Sequence, residues 1–181
     1  MNEVLKTISD RYSCRDFSTE PLSKEQLEAL VTAALAAPSA MNLQPWHIIA
    51  VTDKALIEDV DAGIMDFVRK DEAFLKRMQE RGGKALYNAP CVIFIASKGT
   101  EYAALDCGIV SQNIALAAHS MGLGSVICGM ARIPLDGEKG EEFKKRLKFP
   151  EGYIFGMSVC VGKANSGKEP HELDRSKVTY I

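Results

Sequence analysis

The sequence predicts a single domain that mixes α-helices with short, buried β-strands, and three observations carry that expectation. A chain of 181 residues suits one hydrophobic core and leaves little room for a second. Apolar residues make up 46% and charged residues 25%, ordinary soluble usage that disfavours disorder, collagen-like repetition and a disulfide scaffold. Apolar positions also follow two periods: helical stripes alternate with short β-branched or continuous apolar runs, and no internal repeat or low-complexity segment interrupts them.

Taken in order, Val4, Leu5 and Ile8 recur at helical spacing and predict a short first helix ending near Asp10. Ser23-x-x-Gln26 is a capping box for a second helix, whose stripe is Leu27, Leu30, Val31, Ala34 and Leu35 and whose stop is Pro38. The loop PSAMNLQP leads into WHIIAV, a β-branched and aromatic run that reads as a strand. Asp53 or Thr52 caps a helical region over 54–81, broken near Lys70 and closed by Gly82-Gly83, whose polarity suggests a partly exposed arm. CVIFIA, 91–96, has the continuous apolar character of a strand buried on both faces. The helix predicted over 103–121 is apolar nearly all round, so core or another subunit must cover every side of it; Gly122 and Gly124 end it. A short strand over 125–128, an amphipathic helix over 141–148 anchored by Phe143 and Leu147, and the strand YIFGMSVCVG complete the core. The closing KANSGKEPHELDRSK is too polar to form a core, and with the β-prone VTYI it is expected to wrap something.

Composition also removes function classes. With 22 basic residues against 24 acidic, the formal net charge is −2, without the positive excess that a nucleic-acid partner requires. Five cysteines, with no CxxC and no Cys/His cluster, read as reduced thiols of a cytoplasmic protein. MNEVLKTISDR is acidic where an export signal needs a basic start and an apolar core. Asp106, Gln112, Asn113 and His119 interrupt the most apolar helix at hydrocarbon depth, so it reads as a buried helix and not a membrane span. No GxSxG, P-loop, GxGxxG after a strand or HExxH is present, and His47, His119 and His171 lack partners at metal-ligand spacing.

What remains is an anion-binding signal. In RYSCR, Arg11, Ser13 and Arg15 share a side if the segment is extended, and Arg11 and Arg15 share a face if it is helical. Two guanidinium groups and a hydroxyl are the donors a phosphate monoester takes in charge-assisted hydrogen bonds. Surface arginines paired with carboxylates fit the same pattern, and Arg175 and Lys177 in the tail likewise fit a second basic cluster or a solvated tail. Ser39, Asn42 and Gln44 can donate to a heterocycle's carbonyl oxygens and accept from its N–H groups, or serve as ordinary turn residues.

RYSCRDF, APSAMNLQPWHIIAV, NAPCVIFIA, the helix end AAHSMGLGSVICG and VGKANSGKEPHELDRSK together resemble the FMN-dependent nitroreductase family, in that family's order from residue 3 to the C-terminus. APSAMNLQPW combined with RYSCR is the most specific pairing. The resemblance implies an α+β three-layer sandwich over 1–181, with a mainly antiparallel central sheet flanked by helices. It implies an intertwined homodimer with FMN sites across its interface, in which the 103–121 helix is the dimer core. The 54–83 arm would lie near the active-site entrance, and the 163–181 tail would embrace the partner and add a strand to its sheet.

Carried onto this chain, Arg11 and Ser13 match positions that hold the FMN phosphate, with Tyr12 between them in the cofactor-binding set and Arg175 and Lys177 joining from the tail. Arg15 and Lys84 match cations near flavin N1 and the C2 carbonyl, where reduced flavin carries negative charge and a fixed cation raises the two-electron potential. Pro38, Ser39, Ala40 and Asn42 match the loop that the opposite subunit lays against the ring, and Ile127, Cys128 and Gly129 the strand end along the flavin edge near N5. Two departures stand out. Cys128 replaces a residue that is often bulkier or acidic, and the arm carries no recognisable substrate motif in a chain that is short for the family.

The activity so implied is an FMN-dependent oxidoreductase fed by NADH or NADPH that reduces nitroaromatics, quinones or a related electron-poor small molecule with ping-pong kinetics. No protein nucleophile is needed, and no signature for a nicotinamide 2′-phosphate is visible. The alternatives are a flavin-binding storage or sensor protein with little turnover, and a family branch performing dehalogenation, dehydrogenation or flavin breakdown.

Overall fold

The computed structural model describes residues 2–169 and 172–181; His171 lies outside that range. Four strands, β1 (Trp46–Val51), β2 (Cys91–Ser97), β3 (Gly124–Cys128) and β4 (Ile154–Gly162), form one sheet in the order β1-β2-β4-β3, every pair antiparallel. CVIFIA takes a central place because it has no polar face to offer water, and all seven residues of β2 are buried. Period-two alternation then divides its side chains. Val92 and Phe94 join one core cluster with Cys160, Val126 and Cys128, and Cys91, Ile93 and Ile95 join another with Val159 and Val161.

Helices cover both faces. The second cluster is closed by α2 (Lys24–Leu35) through Leu30 and Ala34, and by α5 (Ala103–Ser120) through Val110, Ile114 and Ala118, with α1 (Glu3–Asp10) packed against α5. The first is closed by α3 (Lys54–Val68), α4 (Glu72–Gln79), α6 (Arg132–Leu135) and α7 (Gly140–Arg146). The result is the expected α+β three-layer sandwich with an antiparallel sheet. Local signals act as read: Ser23 and Gln26 make the reciprocal capping box, and Asp53 caps α3 through its side chain at Leu56 N. The break falls at 69–71.

One expectation changes, and two others gain detail. α3 is less of an arm than its polarity suggests, because Val60, Ile64 and Val68 are fully buried under the sheet; α4 is the more exposed half of 54–83. α5 is apolar all round, yet one chain leaves Ala104, Leu105 and Gly108 exposed. Among its described residues the tail forms no strand within its own chain: Arg175–Lys177 is a single 3-10 turn, and Val178, Tyr180 and Ile181 are exposed.

One feature of the sheet edge positions everything that follows. Gly124 and Gly162 stand opposite each other in the β3–β4 register, and the RYSCRDF segment crosses them. A Cβ on Gly124 would lie 2.8 Å from Cys14 Cβ, and one on Gly162 would lie 2.6 Å from Pro90 Cδ and 3.2 Å from Phe17 Cδ1. The missing side chains let Cys14 N donate to Ser125 O at 2.9 Å and Ser18 N to Lys163 O at 2.8 Å, with Cys14 and Phe17 buried beneath.

Two outcomes follow. Gly124→Ala, which forces Cys14 outward, is expected to lower unfolding free energy by about 1–3 kcal/mol in urea denaturation. All five cysteines are free and buried, and burial pushes the Cys91 thiol up to about 12. Native protein at mildly alkaline pH should therefore react with almost none of them in a disulfide-exchange assay, and with all five once unfolded.

Candidate functional site

Extended backbone after α1 decides the ambiguity in RYSCR. Arg11 is the C-cap residue of α1, Ser13 bridges Ser125 on β3, and Cys14 turns inward, so Arg15 turns out. The outward side opens on a cleft of about 660 Å³ lined by 12–16, 80–82, Lys84, Tyr87, Asn88 and 166–168. Four cations, Arg15, Arg81, Lys84 and Lys168, face two carboxylates, Asp16 and Glu80, across it. The Nε atoms of Arg11 and Arg15 are enclosed and have no hydrogen-bond partner among the described residues. An enclosed guanidinium N–H without an acceptor is costly, so each calls for an acceptor that the described residues do not supply; Arg15 lines the cleft and Arg11 does not.

The cleft's other walls are held from the core. Asp61 of α3 is buried, accepts a hydrogen bond from Leu86 N at 2.7 Å and lies 3.8 Å from Lys84 Nζ, so it fixes the turn and aims its cation. Tyr87 and Asn88 in that turn have left-handed backbone, φ 57° and 55°. Burial first, and Cys128 second, push the Tyr87 phenol above its ordinary range, with the Arg15 guanidinium beside it opposing. Tyr12 donates its hydroxyl hydrogen to Ser166 O at 3.1 Å, tying the start of the tail to RYSCR.

The other candidates lie elsewhere. Within one chain Arg175 and Lys177 do not line the cleft: they sit in an exposed turn capped by Asp174, with Lys177 Nζ 3.6 Å from Asp174 Oδ2, while Lys168 does line it. Ile127 and Gly129 are exposed, while the Cys128 side chain points into the core with its thiol 3.8 Å from Ala85 O. Only the backbone at 128 can face a ligand, so the departure noted there concerns core packing. A hydrogen bond with Cys160 holds the Cys128 thiol below its ordinary range, and Cys160, fully enclosed, is pushed up.

The 38–42 loop is also outside the cleft. Ser39 Oγ accepts from Gln44 N and Asn42 Oδ1 accepts from Gln44 Nε2, both at 2.9 Å. Each oxygen accepts one bond within the loop and keeps a second lone pair, and the Ser39 hydroxyl and Asn42 amide hydrogens have no acceptor among the described residues, so the loop offers donors to a carbonyl-bearing edge and keeps some acceptor capacity.

Arg81, Lys168, Tyr87, Asp61 and Asp106 were not among the residues singled out for function. For the two aspartates a signal existed: each interrupts an otherwise apolar helical stripe, the usual mark of a buried carboxylate with a task. Among the described residues no group of three His, Cys, Asp or Glu could hold a metal, and no helix is long and apolar enough to cross a membrane.

The model of the nitroreductase family matches residues 8–163. The crystal structure of a nitroreductase with bound FMN from Desulfitobacterium hafniense DCB-2 is similar at 46% sequence identity and a TM-score of 0.96, covering 100% of this chain and 99% of that one. The NADPH-flavin oxidoreductase of Vibrio harveyi is 32% identical over 171 residues, 93% of this chain and 69% of its own. The FMN reductase [NAD(P)H] of Bacillus subtilis (strain 168) is 29% identical over 194 residues, 100% of this chain and 76% of its own.

The anchoring of the cleft wall yields a comparison of two aspartates. Asp61→Ala strands the Leu86 N–H and is expected to cost about 1–3 kcal/mol of stability. Asp59→Ala, which breaks an exposed pair with Arg146, should cost at most about 1 kcal/mol in the same denaturation assay.

Proposed function

Because this chain belongs to the nitroreductase family, we propose that it is an FMN-dependent oxidoreductase that uses NADH or NADPH to reduce electron-poor small molecules such as nitroaromatics and quinones. The observation that carries this reading is the cleft itself, where Arg15 lies beside Ser13 with a cationic surplus and an enclosed Nε that has no partner among the described residues; the Nε of Arg11, just before the cleft-lining segment, is in the same state. Those donors fit FMN, whose phosphate and ring carbonyls need acceptor-satisfying groups of this kind. Bound FMN supplies the two-electron chemistry.

The chain's residues bind, orient and polarise. Arg11 and Ser13 hold the phosphate by charge-assisted hydrogen bonds, and Arg15, beside Tyr87, with Lys84, aimed by Asp61, presents fixed positive charge to the ring. Pro38, Ser39, Ala40 and Asn42 reach the site from a second copy, laying their free donors on the ring's carbonyl edge, and Ile127 to Gly129 offer backbone. A homodimer also gives the exposed apolar residues something to cover: Val4, Leu5 and Ile8 on α1, Leu105 on α5, and Val178, Tyr180 and Ile181 of the tail, which exchanges as a strand and brings Arg175 and Lys177 to the partner's site. Five unpaired, buried thiols favour a reducing, cytoplasmic setting.

Three measurements test this. FMN fluorescence should be quenched to saturation at one flavin per chain, and NADH or NADPH should bleach the bound flavin anaerobically; absence of quenching overturns the reading, and binding without bleaching favours a storage or sensing role. Arg11→Ala is expected to weaken FMN retention roughly ten-fold, whereas Arg15→Ala lowers the midpoint potential and slows bleaching; equal small effects of both would refute this division. Sedimentation of the holoprotein should give a dimer, and a monomer that retains FMN would defeat the shared site.

A further inference from the structure

α5 reaches the 38–42 loop through one side chain. Asp106, only 1% exposed, accepts a hydrogen bond at Oδ1 from Ala40 N at 3.1 Å, while its Oδ2 is enclosed and has no partner among the described residues. Ala40–Asn42 is a single 3-10 turn whose N-cap residue, Ser39, makes no side-chain capping bond. Its hydroxyl oxygen is committed forward to Gln44 N. The turn's first N–H is therefore capped from a distant helix, across 66 positions of sequence. The loop needs that support: Met41, Asn42 and Gln44 have φ of 51°, 54° and 45°, a conformation that non-glycine residues hold only when their surroundings impose it.

We propose that Asp106 is a positioning residue that holds this loop in the shape in which Ser39 and Asn42 present their donors to the flavin of a second copy. The proposal rests on the reading that the loop completes the partner's site. Unlike the buried Leu86 N–H, the Ala40 N–H is only part-buried, so water can reach it once the carboxylate is gone, and the enclosed Oδ2 gives up no partner; global stability therefore gains little from Asp106. Its Oδ1 serves the Ala40 N–H at the start of the loop, and a purely structural role would not separate loop order from global stability.

Asp106→Leu keeps the volume and removes the acceptor, and Asp106→Asn keeps an oxygen that can accept from Ala40 N. The Leu variant is expected to unfold at an unchanged or higher temperature and to remain as associated as the parent. It should exchange the amide hydrogens of 40–42 at least about ten-fold faster and bind FMN about ten-fold more weakly. The Asn variant should restore exchange and affinity to within about two-fold of the parent. A Leu variant with parental exchange at 40–42, an Asn variant as impaired as Leu, or a Leu variant that fails to fold would each overturn the positioning role. Faster exchange with unchanged FMN affinity would overturn its link to the flavin. If the parent itself binds no FMN, the functional reading fails, and the exchange measurements still decide whether Asp106 orders the loop.

Discussion

The site depends on a close approach of backbone to backbone that two side chains would forbid. Gly124 and Gly162 face each other across β3 and β4, and RYSCRDF lies over them with Cys14 and Phe17 filling the space their missing Cβ atoms leave. Because the segment is pinned on both sides, by Ser125 and by Lys163, its alternation is fixed relative to the sheet. Cys14 must point in, so Arg15 must point out. Arg15 thus owes its place in the cleft to sheet geometry, set by the long-range pairings of Cys14 with Ser125 and of Ser18 with Lys163.

Around that seat the molecule uses one device twice. Asp61 on α3 and Asp106 on α5 are buried carboxylates on opposite faces of the sheet. Each accepts a hydrogen bond from the backbone of a loop with left-handed residues: Leu86 beside Tyr87 and Asn88, and Ala40 beside Met41 and Asn42. Loops carry the groups that meet a ligand, but a loop is ordered only as far as something rigid orders it. A carboxylate in a helix that is itself packed on the sheet extends core rigidity to the loop without adding bulk to the site. The donors of Ser39 and Asn42 are what this ordering leaves free in the 38–42 loop.

Much of this was legible beforehand because it is local. The capping box at Ser23, the cap at Asp53, the break near Lys70 and the strands WHIIAV and CVIFIA each rest on hydrogen bonds or side-chain periods spanning a few residues. The importance of RYSCR was likewise visible in the density of donors at alternate positions. Less legible were groups that act through distance. Lys168 lines the cleft because the path of the chain after β4, which no pattern in KANSGKEP encodes, brings 166–168 past Tyr12. Likewise only the strand register says which way Cys128 points: its side chain enters the core while the neighbouring Ile127 stays exposed.

By itself, then, the sequence determined the class of the fold, the order of its elements and the chemical nature of the site, since periodicity, caps and donor content are properties of neighbours along the chain. Tertiary structure alone decided which face each donor occupies, that Asp61 and Asp106 serve loops 25 and 66 positions away, and that the 38–42 loop stands apart from the cleft within one chain. Those outcomes depend on sheet register and on the packing of helices across it. Both arise from contacts between residues far apart in sequence, and a one-residue slip in register would reverse them.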